Sequence, residues 1–229
     1  MARAKDWNRR TFIAGAGASG LLVLTASAAS AQGLGRSLGL SSILGKATDS
    51  ALDKLAQPGA FYNDEDIRIG LPIIGKSGGG LLGSIVKGAS RLGVLDDVTK
   101  TINDAAGIAA GEAKPIFRDA INDLSFSDAP GIIREADGGT QYLRRSSNDR
   151  LHSRFEPLVD DALEKLGVYS TFDGLAEKHS FVRAAGLDRA KINRSVTDQG
   201  LDGIFAYIGG EEREFRKNPL GGLGGLLGK

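Results

Sequence analysis

Leu201-Asp-Gly-Ile-Phe205-Ala-Tyr-Ile208-Gly-Gly-Glu-Glu212-Arg-Glu-Phe215 sets apolar side chains at 201, 205, 208 and 215, with Glu212 on the same line. Steps of four, three, four and three residues trace one face of an α-helix, a spacing that no strand keeps on one side. The pattern recurs in Val98, Ile102, Ala105, Ala109, Glu112 and Ile116. It recurs again in Leu151, Phe155, Leu158, Ala162 and Leu166, an amphipathic helix closed by Gly167. No series of alternating strands and helices accompanies these stretches, so a mainly α protein is expected, a single-domain helical bundle.

Shorter elements fill the intervals. A first helix is expected from about Ser41 to Ala56, with Leu44, Ala47, Ala51 and Leu55 on one stripe and Pro58-Gly59 as its stop. Near 61–72 the period changes to two: Ile67, Ile69 and Leu71 alternate with Arg68 and Gly70, which predicts a short extended segment without an obvious partner strand. Leu81 to Leu92 reads as a helix ended by Gly93, and Asp96 or Asp97 as the cap of a long helix from Val98 to Leu124, bent near Pro115. Ser127 caps a short helix through Ile133, Thr140 to Arg145 forms a turn or two, and helical turns are expected around Phe172 to Lys178. Ser195-Val-Thr-Asp198 resembles a capping box opening a final helix to about Arg216, with Asn218-Pro219 as its stop. The ends, 32–46 and 220–229, are rich in glycine and leucine and read as flexible arms around a helical domain at 47–219.

The N-terminal Asn8-Arg9-Arg10-Thr11-Phe12-Ile13 precedes a weakly apolar Gly/Ala-rich run and the small residues Ala29-Ser30-Ala31. Adjacent Arg9 and Arg10 ahead of such a run resemble the signal read by the twin-arginine translocase, with cleavage after Ala31. The run is too short and too mixed with glycine, serine and threonine for the roughly 20 apolar residues that a span requires. The expectation is therefore a signal peptide at 1–31, the translocase as a partner during export, a periplasmic location, and no transmembrane segment in the cleaved chain. Removing 1–31 takes away Arg3, Lys5, Arg9, Arg10 and Asp6, a net three positive charges, and carries the formal charge from +1 to −2. A near-neutral chain has no electrostatic footprint for nucleic acid. The 229 residues include no cysteine, which excludes disulfides, thiolate zinc sites and a cysteine nucleophile, and leaves His152 and His179 as the imidazoles.

Gly70-Leu-Pro-Ile-Ile-Gly75-Lys76-Ser77 fits the spacing of a phosphate-binding loop. The context opposes it: Pro72, Ile73 and Ile74 are rigid or bulky where the backbone must wrap an anion, and Gly78-Gly79-Gly80 breaks the helix that should follow. Asn63-Asp64-Glu65-Asp66 lacks the glycine and glutamate of a calcium loop and reads as a solvated acidic turn. Glu112 and Glu212 lie on apolar stripes, where a carboxylate must be paired, protonated or metal-bound; Arg216 and Lys114 are the partners at hand. A metal cluster of Glu112, Glu212, Asp149 and His152 falls short, since dimetal bundles need Glu-x-x-His pairs and the chain has none. No metal and no cofactor are expected.

Glu112-Ala-Lys-Pro-Ile-Phe117, Ala120-Ile121, Ser127-Asp128-Ala129, Thr140-Gln-Tyr142, Leu151, Phe155-Glu-Pro157, Leu201-Asp-Gly-Ile-Phe205, Glu211-Glu212 and Arg216-Lys-Asn218-Pro219 carry a family resemblance, joined by Phe61-Tyr-Asn63 and Leu71-Pro72. Together they resemble the bacterial family catalogued as domain of unknown function 4197, over about Ser50 to Pro219. The resemblance implies an exported helical protein and supplies no activity, cofactor or catalytic residue. It also gives Gly70 to Pro72 a place other than nucleotide binding, and the Gly/Leu-rich tail departs from it. Glu112, Tyr142, Asp202, Glu211, Glu212 and Arg216 are the candidate ligand or partner residues. The leading reading is a non-catalytic binding module for an apolar ligand, lipid or envelope partner. The alternatives are a metal-dependent or hydrolytic periplasmic enzyme using Glu112, Glu212 and Asp202, and a self-assembling structural envelope protein.

Overall fold

A computed structural model describes residues 39–71, 94–125, 134–184 and 186–218, and all regular structure among them is helical. Helix α1 covers 39–55. It is followed by α2 (Ala60–Asn63), α3 (Val94–Glu112), α4 (Lys114–Asn122), α5 (Gly138–Lys165), α6 (Val168–Lys178), α7 (Ser180–Ala184) and α8 (Arg189–Lys217). The chain divides into two units at Leu40; of the first only residues 39 and 40 are described, both helical, and the second, Ser41–Lys229, carries the fold. The expected signal peptide and cleavage site, the helix at 81–92, the short helix from Ser127 and the tail at 220–229 lie outside the described residues.

The two longest helices, α5 and α8, form the principal packing pair, and α3 lies against both. They run antiparallel, because residues early in α5 meet residues late in α8: Thr140 touches Glu212, Arg144 meets Asp202 and His152 meets Asp198. The stripe anticipated in α8 faces inward, with Leu201, Phe205, Ile208 and Glu212 all buried. In α5 the buried line is Leu143, Leu151, Phe155, Val159, Ala162 and Leu163, whereas Leu166 is 38% exposed as the C-cap and Gly167 beyond it takes a left-handed φ of 68°. That glycine closes the helix as expected.

Small side chains let α3 sit at the centre. Ala105, Ala106, Ala109 and Ala110 are fully buried, and a Cβ at Gly107 would stand 3.2 Å from the carbonyl oxygen of Leu55 at the end of α1. The long bent helix expected from Val98 to Leu124 is instead two helices broken at Ala113. Pro115 has no N–H and its ring opposes the carbonyl four residues back, so it starts α4 in place of bending α3. Asp96 and Asp97 fall in the first turn of α3, where they favour the helix dipole, and do not cap it.

Three further expectations need correction. Thr140 to Arg145 is no separate turn but the start of α5, which continues through Pro157. The last helix begins at Arg189, because the Asp188 carboxylate accepts the Lys191 N–H at 2.8 Å and caps it; Ser195 lies inside the helix. Residues 39–46, placed by composition in a flexible arm, form the opening of α1, with Leu44 fully buried.

Ion pairs fix the register on the outside. α4 presents Lys114 and Arg118 to Asp53 and Asp49 of α1, and Asp119 and Asp123 to Arg154 and Arg150 of α5. Each set joins residues one turn apart on two antiparallel helices, so a slip of either helix by one turn would leave one link in place of two.

Residues 61–72 were expected to hold an extended segment. Phe61 to Asn63 are helical, and the alternation appears just after: Ile67, Ile69 and Leu71 are buried, while Arg68 and Gly70 are exposed. The partner missing from the sequence is supplied by two side chains. Asn103 of α3 accepts the Ile69 N–H at 2.8 Å and donates to the Ile69 carbonyl at 2.9 Å. Gln199 of α8 does the same for Gly70, at 3.0 and 3.2 Å. Two amides thus replace a neighbouring strand, which is how the backbone groups of a buried coil are satisfied.

Candidate functional site

Glu212 is the residue around which the candidate site must be judged. It is 0% exposed, and its position on the buried stripe of α8 brings its carboxylate under the N-terminus of α5. The first turn of a helix leaves its N–H groups without intrahelical partners. Asp137, at the N-cap of α5, makes no side-chain cap hydrogen bond there. Glu212 takes over that role from another helix: Oε1 accepts the Gly139 N–H at 3.0 Å, and Oε2 accepts the Thr140 N–H and the Thr140 hydroxyl, both at 2.7 Å. The negative charge also meets the positive end of the helix dipole.

Arg216, one turn further along α8, completes the arrangement by donating from Nε at 2.9 Å and Nη2 at 2.6 Å to Oε1. Five hydrogen bonds therefore converge on one carboxylate, which offers about four lone-pair sites. Gly139 makes the approach possible, since a Cβ there would fall 2.8 Å from Oε1. Such a carboxylate acts as a structural cap, with both oxygens fully engaged by donors of the protein itself.

The other expected residues are scattered. Glu211 points the opposite way, accepting from Ser50 at 2.7 Å and pairing with Lys54 on α1. Asp202 pairs with Arg144 at the surface, and that guanidinium lies 5.2 Å from the centre of the Phe205 ring. The Tyr142 hydroxyl donates to the Ser125 carbonyl at 2.9 Å. Glu112, expected at or near the interior, is exposed on the last turn of α3, because the helix ends there and the stripe passes to Ile116 of α4. Arg216 is the partner anticipated for Glu212, while Lys114 is held by Asp53.

Neither carboxylate grouping is assembled. Among the described residues no three His, Asp or Glu side chains are placed to share a metal ion. His152 meets Asp198 across the helix pair at 2.9 Å, and Asp149 is exposed beside Asn148. In the phosphate-loop pattern, only Gly70 and Leu71 are described; the Gly70 peptide is held by Gln199 and Leu71 is buried. Gly75-Lys-Ser77-Gly-Gly79 also matches the nucleophile-elbow spacing G-x-S-x-G and lies outside the described residues. The strand-to-helix turn such an elbow needs has no strand among those described.

Tyrosine-aspartate contacts stitch the surface. Tyr207 donates to Asp64 at 2.7 Å, and this bond together with burial pushes its hydroxyl up to about 12. Tyr169 donates to Asp160 at 2.6 Å and is raised by burial first and by the aspartate second. Arg189, stacked 4.4 Å over that ring, holds Asp160 below the usual carboxylate range. A shallow depression of about 290 Å³ between α1 and α4 is lined by Ser42, Lys46, Asp49, Arg118 and Asn122, but Asp49 already grips the Arg118 guanidinium through both oxygens.

Asn103, Gln199 and Gly139 are the structurally decisive residues that spacing did not single out. A buried Asn between Ile102 and Ala105 was the available signal, because an amide in such a place must serve backbone groups. No curated protein and no solved structure matches the chain. With its helical architecture and capped α5 in place, and with the family model matching residues 34–229, the chain belongs to the family described as "Protein of unknown function (DUF4197)".

Proposed function

We propose that this protein is an exported, non-catalytic helical module that binds an apolar partner, a lipid surface or envelope component, through its Gly/Leu-rich tail. The observation that carries this reading is the engagement of Glu212: the one buried carboxylate among the described residues is consumed as the cap of α5. Of the other candidate carboxylates, Asp202 and Glu211 are spent in ion pairs that join helices, and Glu112 is exposed at the end of α3. Sequence supports the rest. Pro219-Leu-Gly-Gly-Leu-Gly-Gly-Leu-Leu-Gly-Lys229 sets leucines between glycines, a composition that serves a plain linker poorly because the leucines gain nothing in water. Arg9-Arg10 and Ala29-Ser30-Ala31 support export through the twin-arginine translocase to the periplasm, with cleavage after Ala31. No helix among the described residues is long and apolar enough to cross a membrane. Flotation of the chain lacking 1–31 with phosphatidylethanolamine/phosphatidylglycerol vesicles tests the reading. Deleting 219–229 should abolish co-flotation; equal flotation of both forms, or of neither, removes the tail's role.

A further inference from the structure

Residues 60–71 are held between α3 and α8 in the manner of a bound peptide. The grip is on the main chain, from Asn103 on one side and Gln199 on the other, at consecutive residues. Alternate side chains fill the space between the helices: Ile67, Ile69 and Leu71 are buried and the residues between them face water. The receiving surface is shaped for them. A Cβ at Gly203 would lie 2.9 Å from Phe61 and 3.3 Å from Ile67, and one at Gly200 would lie 3.3 Å from Phe155 and 4.0 Å from Ile69. Two hydroxyl links, Tyr62 to Asp96 at 2.8 Å and Tyr207 to Asp64 at 2.7 Å, tie the segment to α3 and α8.

Main-chain recognition with pockets for alternate side chains is the physics of strand capture, and here side-chain amides take the place of a sheet edge. We propose that the cleft between α3 and α8 is a binding groove for an extended peptide carrying aliphatic side chains at every second position, and that the chain's own 67–71 occupies it as an intramolecular competitor. This goes beyond the tail-mediated reading and uses none of its residues. The grip on Ile69 and Gly70 comes from side chains, and Gly59, at φ 75°, provides a turn at the segment's N-terminal end.

Native-state hydrogen exchange on the full chain is the first test. The Ile69 and Gly70 amides should exchange at least about tenfold faster than the core amides of α5 and α8, reporting a local opening. Protection equal to the core would overturn the proposal, since the segment would then leave only on global unfolding. The second test adds a fluorescein-labelled peptide of sequence 60–71 to the Ile69→Ser chain, whose own segment is weakened. Saturable binding is expected, weakened about tenfold when Gln199→Ala removes one amide clamp. Absence of binding to a chain that keeps its helical circular dichroism would overturn the proposal. If Ile69→Ser loses that signal, the Tyr62→Phe/Tyr207→Phe chain, which cuts only the two hydroxyl links, carries the same peptide test. Neither test involves 219–229, so this inference and the tail reading fail separately.

Discussion

Replacing Glu212 by Gln keeps the shape of the side chain and changes only its charge and one acceptor. Oε1 receives three N–H groups, from Gly139 and twice from Arg216, whereas Oε2 receives the Thr140 N–H and a hydroxyl that can rotate. The amide nitrogen will therefore take the Oε2 place, where the Thr140 hydroxyl can turn to accept from it. The Thr140 N–H then faces another donor and is buried without a partner, which costs about 1–3 kcal/mol. The Arg216 contacts lose their charge assistance at a site where the arginine side chain is only 18% exposed, adding about 1 kcal/mol. A total near 3 kcal/mol is expected, in line with breaking a buried pair. For a domain of this size it corresponds to a Tm lower by about 6–12 °C, measurable by calorimetry together with urea midpoints. Thr140→Val in the same background should show non-additivity, since both changes act on Oε2. A Glu212→Gln chain within about 0.5 kcal/mol of the parent would refute the cap. So would one that kept its stability and lost a ligand, because Glu212 would then be a binding group.

Two glycines of α8 should respond with opposite sign: Gly203→Ala drives a Cβ into Phe61 and Ile67 and should destabilise by about 2 kcal/mol, while Gly210→Ala meets nothing within 4 Å and should stabilise by about 1 kcal/mol through helix propensity, both read from urea midpoints. Tyr207 favours its protonated form in the folded chain, so its contribution is complete below its ordinary value of 10.0 and is lost as pH rises toward about 12. Stability of the parent should fall across that window more steeply than that of Tyr207→Phe, and parallel curves would show that the Asp64 bond contributes nothing. In the exposed ion-pair ladder, Asp119→Arg should lower the urea midpoint slightly by facing Arg154, and the exchanged pair Asp119→Arg with Arg154→Asp should recover it; no recovery would mean that the pair sets no register.

Helix periodicity needs only neighbours one turn apart on the same chain, and that is why the stripes in α8 and α5 could be read directly, with Gly167 and Pro58-Gly59 as stops. The burial of Glu212 followed from the same rule, and its Arg216 partner from the i to i+4 spacing. Family membership was legible too, because short residue groups scattered along the chain are a linear property. Helix boundaries were less so. Pro115 could bend one helix or divide two, and the start of α8 depended on whether Asp188 or Ser195 supplied the cap, a choice between local bonds of similar energy.

The meaning of Glu212 was settled by residues more than seventy positions away, at the start of α5, whose unsatisfied N–H groups needed an acceptor from outside their own helix. Glu112 shows the converse: the same stripe logic applied, but the break at Ala113 left it at a helix end in water. The 67–71 segment has the alternation of a strand, and only the fold could show that its partners are the amides of Asn103 and Gln199, 34 and 129 residues distant from the groups they bind. Periodicity reports which side of an element is apolar; which polar group meets which across the interior depends on how the helices stack, and no local pattern contains that.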